Sequence, residues 1–115
     1  MKMVTAVIRP ENCQAVKDAL KEIDVNGMTI THVYGRGRQA GLKFTTRAGV
    51  VIIDELEKTK IEIVVDDAIV QKVVDTICKA ACTGHHGDGK IFISPVEASY
   101  TISEYISKNS ETQNQ

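Results

Sequence analysis

Twice along this chain a run rich in β-branched residues gives way to an apolar stripe at helical spacing. That repetition restricts the fold more than any other feature. Met1 to Arg9 reads as a buried strand carrying Val4, Ala6, Val7 and Ile8. Pro10 then opens a helix, a position where its missing N–H costs nothing. Val16, Ala19, Leu20 and Ile23 recur on one face of that helix. Asn26-Gly27 supplies turn chemistry, and Met28 to Tyr34 forms a second strand. Lys58 to Val65 is a third, alternating Lys60, Glu62 and Val64 with Ile61, Ile63 and Val65. Asp66 or Asp67 is placed to cap the next helix. Its buried face is expected to carry Ile69, Val70, Val73, Val74, Ile77, Cys78 and Ala81. A fourth strand runs from about Lys90 to Ser94, and Pro95 points to an edge or an exit.

The order predicts an α+β ferredoxin-like βαββαβ sandwich. Its four-stranded antiparallel sheet carries both helices on one face. Val and Ile recur on both phases of the strands, so the sheet's other face also needs cover, which hints at an oligomer. A chain of 115 residues makes one domain of modest core that gains from such assembly. Between the second and third strands, residues 37–57 show neither a clean helix nor a confident strand. A loop that long in so small a domain, between strong flanking elements, points to function. Lys43, Arg47, Asp54 and Glu55 keep it polar. The apolar Val50-Val51-Ile52-Ile53 calls for a surface to dock on, either a partner or a neighbouring subunit. The polar residues 107–115 are expected to be disordered, leaving a domain of residues 1–106.

Hydrophobic residues at 43% and charged residues at 25% are ordinary for a soluble globular protein. A net charge of −1 leaves no footprint for nucleic acid or an anionic membrane. No apolar run has transmembrane length and no signal-peptide core opens the chain, so a cytoplasmic protein without direct membrane insertion is expected. Three cysteines do not make a disulfide framework. Cys82 is followed closely by His85 and His86, but a tetrahedral zinc site needs four placed ligands and loop glycines give no rigid frame.

The chemistry concentrates in Thr83-Gly84-His85-His86-Gly87-Asp88-Gly89-Lys90-Ile91-Phe92-Ile93. Three glycines let backbone N–H groups turn toward a ligand, successive N–H groups make an anion-binding concavity, and a lysine adds a point charge. The other reading is a tight connector whose glycines only meet turn geometry, because the spacing is not that of a P-loop.

The pattern Thr83-x-x-x-Gly87-Asp88-Gly89-Lys90-Ile91-Phe92 resembles the C-terminal signature of the PII nitrogen-regulatory proteins. Gly27-Met28-Thr29-Ile30-Thr31, Gly35-Arg36-Gly37-Arg38-Gln39-Ala40-Gly41 and Lys58-Thr59-Lys60-Ile61-Glu62-Ile63-Val64-Val65 extend the likeness, which runs without gaps from about Met1 to Val96. The resemblance implies a non-catalytic homotrimer that senses ATP or ADP with 2-oxoglutarate in clefts between subunits. By the same resemblance, Val7, Thr29 and Val64 surround the adenine and ribose. Gly35, Gly37 and Arg38 lie beside the phosphates at the base of the long loop, the T-loop, and Gly87, Asp88, Gly89 and Lys90 form the phosphate-binding turn. Gln39 and Lys58 match the positions that serve 2-oxoglutarate, with Gln39 helping to hold Mg²⁺ among ligand oxygens. The implied target of the T-loop is an ammonium transporter, a nitrogenase component or a nitrogen-assimilation enzyme.

Two departures qualify the likeness. Thr101 and Ser103 stand where the family commonly carries arginines, and no arginine follows Arg47. A hydroxyl does not replace a bidentate phosphate contact, so weaker triphosphate binding or a shift toward ADP or AMP is expected. Val51 stands where many members carry a modified tyrosine, which excludes tyrosine nucleotidylylation there. A divergent sensor of ADP, AMP or another small anion without a 2-oxoglutarate response is the alternative. A metal-handling trimer would rest only on Cys82, His85 and His86. No nucleophile–base–orienter constellation marks an enzyme.

Overall fold

The computed structural model describes residues 1–36, 42–47, 49–53 and 55–105. Strand β1 (Lys2–Ile8) leads through a 3-10 turn (Pro10–Asn12) into helix α1 (Cys13–Glu22). Strands β2 (Thr29–Gly35), β3 (Leu42–Thr46), β4 (Gly49–Ile53) and β5 (Leu56–Val65) follow. A second 3-10 turn (Asp67–Ile69), helix α2 (Val70–Ala81) and strand β6 (Gly89–Pro95) complete the order. The main sheet runs β2-β5-β1-β6, every neighbouring pair antiparallel, as the ferredoxin-like reading requires. Pro95 closes the edge strand β6, where its missing donor is harmless.

Alternation decides which face is covered. Val4, Ala6 and Ile8 of β1 and Ile61, Ile63 and Val65 of β5 are buried in one cluster with Val16 and Leu20 of α1 and Val73, Ile77 and Ala81 of α2. Both helices therefore share the core on one face of the sheet. The opposite phase remains open: Phe92 is 54% and Val64 42% exposed. Lys60 and Glu62, on that same phase, form an ion pair at 3.7 Å.

Three local expectations need correction. Residues 37–57 are not without strands, because β3 and β4 pair as a hairpin in register Leu42↔Ile53 to Thr46↔Gly49, and β5 begins at Leu56 rather than Lys58. The β-branched run from Val50 to Ile53 has the propensity for a strand, but without polar alternation it gives no period-2 signal. Neither aspartate caps α2 with its side chain: Asp66 holds the N-cap position of the 3-10 turn without a side-chain bond, and Asp67 accepts the Met1 ammonium at 2.7 Å. Finally, Ile69 and Cys78 lie outside the buried stripe of α2, which narrows to Val73, Ile77 and Ala81 at four-residue spacing.

Helix α1 stops without glycine. The Val25 N–H reaches the Leu20 carbonyl at 2.9 Å and the Asp24 N–H reaches that of Lys21 at 3.0 Å, the two bonds of a Schellman ending. Asp24 takes the left-handed position at φ 61°, and Val25 seals the end by burial. No helix among the described residues is long and apolar enough to cross a membrane. The tail 107–115 and its expected disorder lie outside the described residues.

Candidate functional site

The antiparallel register brings the end of β1 beside the start of β6, pairing Ile8 with Gly89 and Val7 with Lys90. Helix α2 ends one loop earlier, with the Cys82 N–H donating to the Cys78 carbonyl at 2.9 Å. The glycine loop thus spans from the end of α2 to the sheet and closes over the end of β1. At Gly89 the approach is so close that a Cβ would lie 1.9 Å from the Val7 carbonyl oxygen, and φ is +122°. Only glycine fits there.

Asp88 organises the loop from inside. Its Oδ2 accepts the N–H groups of Thr83 at 2.8 Å and Gly84 at 3.0 Å. Its Oδ1 accepts the Thr83 hydroxyl and, at 3.2 Å, Arg9 Nε. The Thr83 hydroxyl, then its N–H, hold the Asp88 carboxyl well below the usual carboxylate range, with Arg9 and the Gly84 N–H adding to them. Arg9 also donates through Nη2 to the His86 carbonyl at 2.6 Å.

A second cation meets the loop from β5. The Lys58 ammonium donates to the Gly87 carbonyl. A Cβ on Gly35 would touch Lys58 Cγ at 3.5 Å, so the lysine stem passes over Gly35 on its way to the loop. A Cβ on Gly87 would lie 3.3 Å from Arg9 Nη2 and 3.7 Å from Lys58 Nζ, so the two cations flank that glycine. Desolvation and the Arg9 charge lower the Lys58 pKa, partly offset by Glu11 and Asp88. Both cations are thus turned toward backbone carbonyls of the loop, Arg9 to that of His86 and Lys58 to that of Gly87.

The structure therefore gathers Val7, Lys58, Gly87, Asp88, Gly89 and Lys90 around the loop, and Gly35 is tied to them only through the Lys58 stem. Thr29 and Val64 do not join them. Thr29 pairs with Glu62 and Val64 with Met3, whereas Val7 pairs with Lys60. Strand spacing puts Thr29 about 12 Å and Val64 about 14 Å from Val7. Val64 instead borders a shallow cavity of ≈ 320 Å³, with Met1, Val25, Gly27 and Ile69, at the far end of the sheet. Gly37, Arg38 and Gln39 lie outside the described residues. Thr101 and Ser103 are exposed. Among the described residues, no group of three or more His, Cys, Asp or Glu side chains is arranged to hold a metal ion.

Arg9 is the functional candidate that sequence reasoning missed. Its partner Asp88 is 79 residues away. The available signal was topological: in the predicted strand order, the residue ending β1 must face the loop that begins β6.

The family model for nitrogen regulatory protein P-II matches residues 1–105. Nitrogen regulatory protein P-II 2 of Methanothermobacter thermautotrophicus is 55% identical over 97 residues, covering 84% of either chain. The nitrogen fixation nifHD region GlnB-like protein 1 of Methanothermobacter marburgensis is 47% identical over 102 residues, covering 89% of this chain and 93% of its own. The P-II protein of Azospirillum brasilense is 43% identical over 97 residues, covering 84% of this chain and 87% of its own. The matched family model and the named relatives define a class of nitrogen regulatory proteins. The chain belongs to the P-II family of nitrogen regulatory proteins.

Proposed function

We propose that this chain senses ATP or ADP, together with 2-oxoglutarate, as a homotrimer with its ligands held between subunits. The observation that carries this reading is the pair of cations, Arg9 and Lys58, flanking Gly87 in a loop that leads directly to Lys90. In this reading Gly87, Gly89 and Lys90 receive the nucleotide phosphates. Lys58, with Gln39, receives the 2-oxo acid. Thr29 and Val64, too far from the loop in their own chain, serve the adenine and ribose of a nucleotide held by the neighbouring copy's loop. Gly35, Gly37 and Arg38 border the phosphates at the base of the T-loop.

Mg²⁺ fits this scheme only as an ion held mainly by ligand oxygens and Gln39. Asp88 is the loop's one carboxylate, and both of its oxygens are already engaged. Bound ligands favour one arrangement of the T-loop, and that population shift changes its grip on a nitrogen-metabolism target. Such a target is an ammonium transporter, a nitrogenase component or a nitrogen-assimilation enzyme. Thr101 and Ser103 favour a second reading of the same site, in which ADP or AMP is preferred and 2-oxoglutarate has no effect.

Subunit mixing tests the shared site. Lys90→Ala and Val64→Arg are each expected to abolish nucleotide binding when alone. Mixed and reassembled, they should recover part of the sites, because some clefts combine an intact loop with an intact Val64. Failure to recover in verified mixed trimers would mean that the two halves do not serve one ligand.

A further inference from the structure

We infer that the Asp88 carboxylate is not a ligand group and instead positions the loop, acting through Thr83 and Arg9. This rests on reading the loop as a nucleotide site. An ionised carboxylate offers about four acceptor positions. Here they are taken by the Thr83 N–H, the Gly84 N–H, the Thr83 hydroxyl and Arg9 Nε. Nothing remains for a metal or a ligand donor. The Thr83 oxygen passes the constraint on by accepting the His85 N–H at 3.3 Å. Arg9 passes it further by joining Asp88 to the His86 carbonyl at 2.6 Å. One carboxylate therefore fixes the chain from Thr83 to His86 just before Gly87, where the two cations converge.

Charge and position make opposite predictions for Asp88→Asn. As a bystander charge, Asp88 repels phosphate, and its neutralisation tightens nucleotide binding. As the residue that holds the turn, it strengthens binding despite its sign, and Asn loses acceptors that the loop needs. Calorimetry with Mg-ATP and with ADP on the full chain separates these.

The wild type is expected to bind, and Asp88→Asn to bind about tenfold more weakly, the loss expected for a hydrogen bond to a charged group. Thr83→Val should lose a similar factor. The double variant should be no weaker than the poorer single, because both changes break one unit. Thr83→Ser keeps the hydroxyl and should keep most of the affinity, which guards against a variant that merely folds poorly. Equal or tighter binding by Asp88→Asn, or losses that multiply in the double variant, would overturn the positioning role alone. A wild type that binds no adenine nucleotide would overturn the nucleotide reading and this inference with it.

Discussion

Replacing Gly89 by alanine adds one methyl group at the tightest point of the molecule. The new Cβ would sit 1.9 Å from the Val7 carbonyl oxygen, 3.0 Å from its carbon and 3.1 Å from Ile8 Cα. These are backbone atoms of the central strand β1, so no side chain can swing away. The φ of +122° is itself a glycine conformation, worth about 1–3 kcal/mol in strain for alanine. Relief requires parting β1 from β6 at the Ile8–Gly89 pair, which adds the loss of a ladder hydrogen bond. Together these make a loss of about 3 kcal/mol, or roughly 12 °C or more in Tm for a domain near 100 residues. Gly87→Ala provides the contrast. Its nearest contacts are the flexible ends of Arg9, at 3.3 Å, and Lys58, at 3.7 Å, so the φ of +92° sets the cost at about 1 kcal/mol and only the Arg9 end must shift slightly. Thermal scans at one protomer concentration, with ATP titration of each variant, read both effects. A Gly89→Ala protein melting within about 2 °C of wild type would refute the packing argument.

Thr59 is 1% exposed and its hydroxyl has no hydrogen-bond partner among the described residues, so Thr59→Val should stabilise the chain by about 1 kcal/mol in urea unfolding. A loss of that size would mean that the hydroxyl is satisfied. Asp24→Gly at the left-handed end of α1 should gain about 0.5 kcal/mol, the relief of φ strain exceeding the added chain entropy, as read from the urea midpoint. A destabilised variant would count against the assigned helix ending. The folded-state pKa of Asp88 is depressed, so its stabilisation is present above the unfolded value of about 3.9 and is lost as pH falls through the folded one. Urea midpoints below pH 4 should therefore decline more steeply for wild type than for Asp88→Asn, and parallel slopes would argue against the bonds drawn to that carboxylate.

Sequence periodicity carried much of the fold because one face of the sheet is buried. Ile61, Ile63 and Val65 alternate with Lys60, Glu62 and Val64 in the phase that the structure adopts. The hairpin from Leu42 to Ile53 escaped notice because Val50 to Ile53 offers no alternation, and the turn at its tip contains Arg47 rather than a strong turn pair. The turn geometry of the glycine loop was legible from its residue types alone, with positive φ at Gly84, Gly87 and Gly89. Its internal wiring was not, because Asp88 in a glycine-rich turn reads as a ligand group until Thr83, Gly84 and Arg9 are seen to occupy it. The separation of Thr29 and Val64 from the loop is likewise a matter of register, which strand order alone does not supply.

The most direct test of the sensor account is a calorimetric titration of the wild-type chain with ATP and with ADP, each with and without Mg²⁺ and 2-oxoglutarate. The account predicts saturable nucleotide binding, with 2-oxoglutarate taken up only alongside Mg-ATP. Nucleotide binding without any response to 2-oxoglutarate would transfer the site to the ADP or AMP reading and leave Lys58 without its acid. No binding of either nucleotide would contradict the account at its centre.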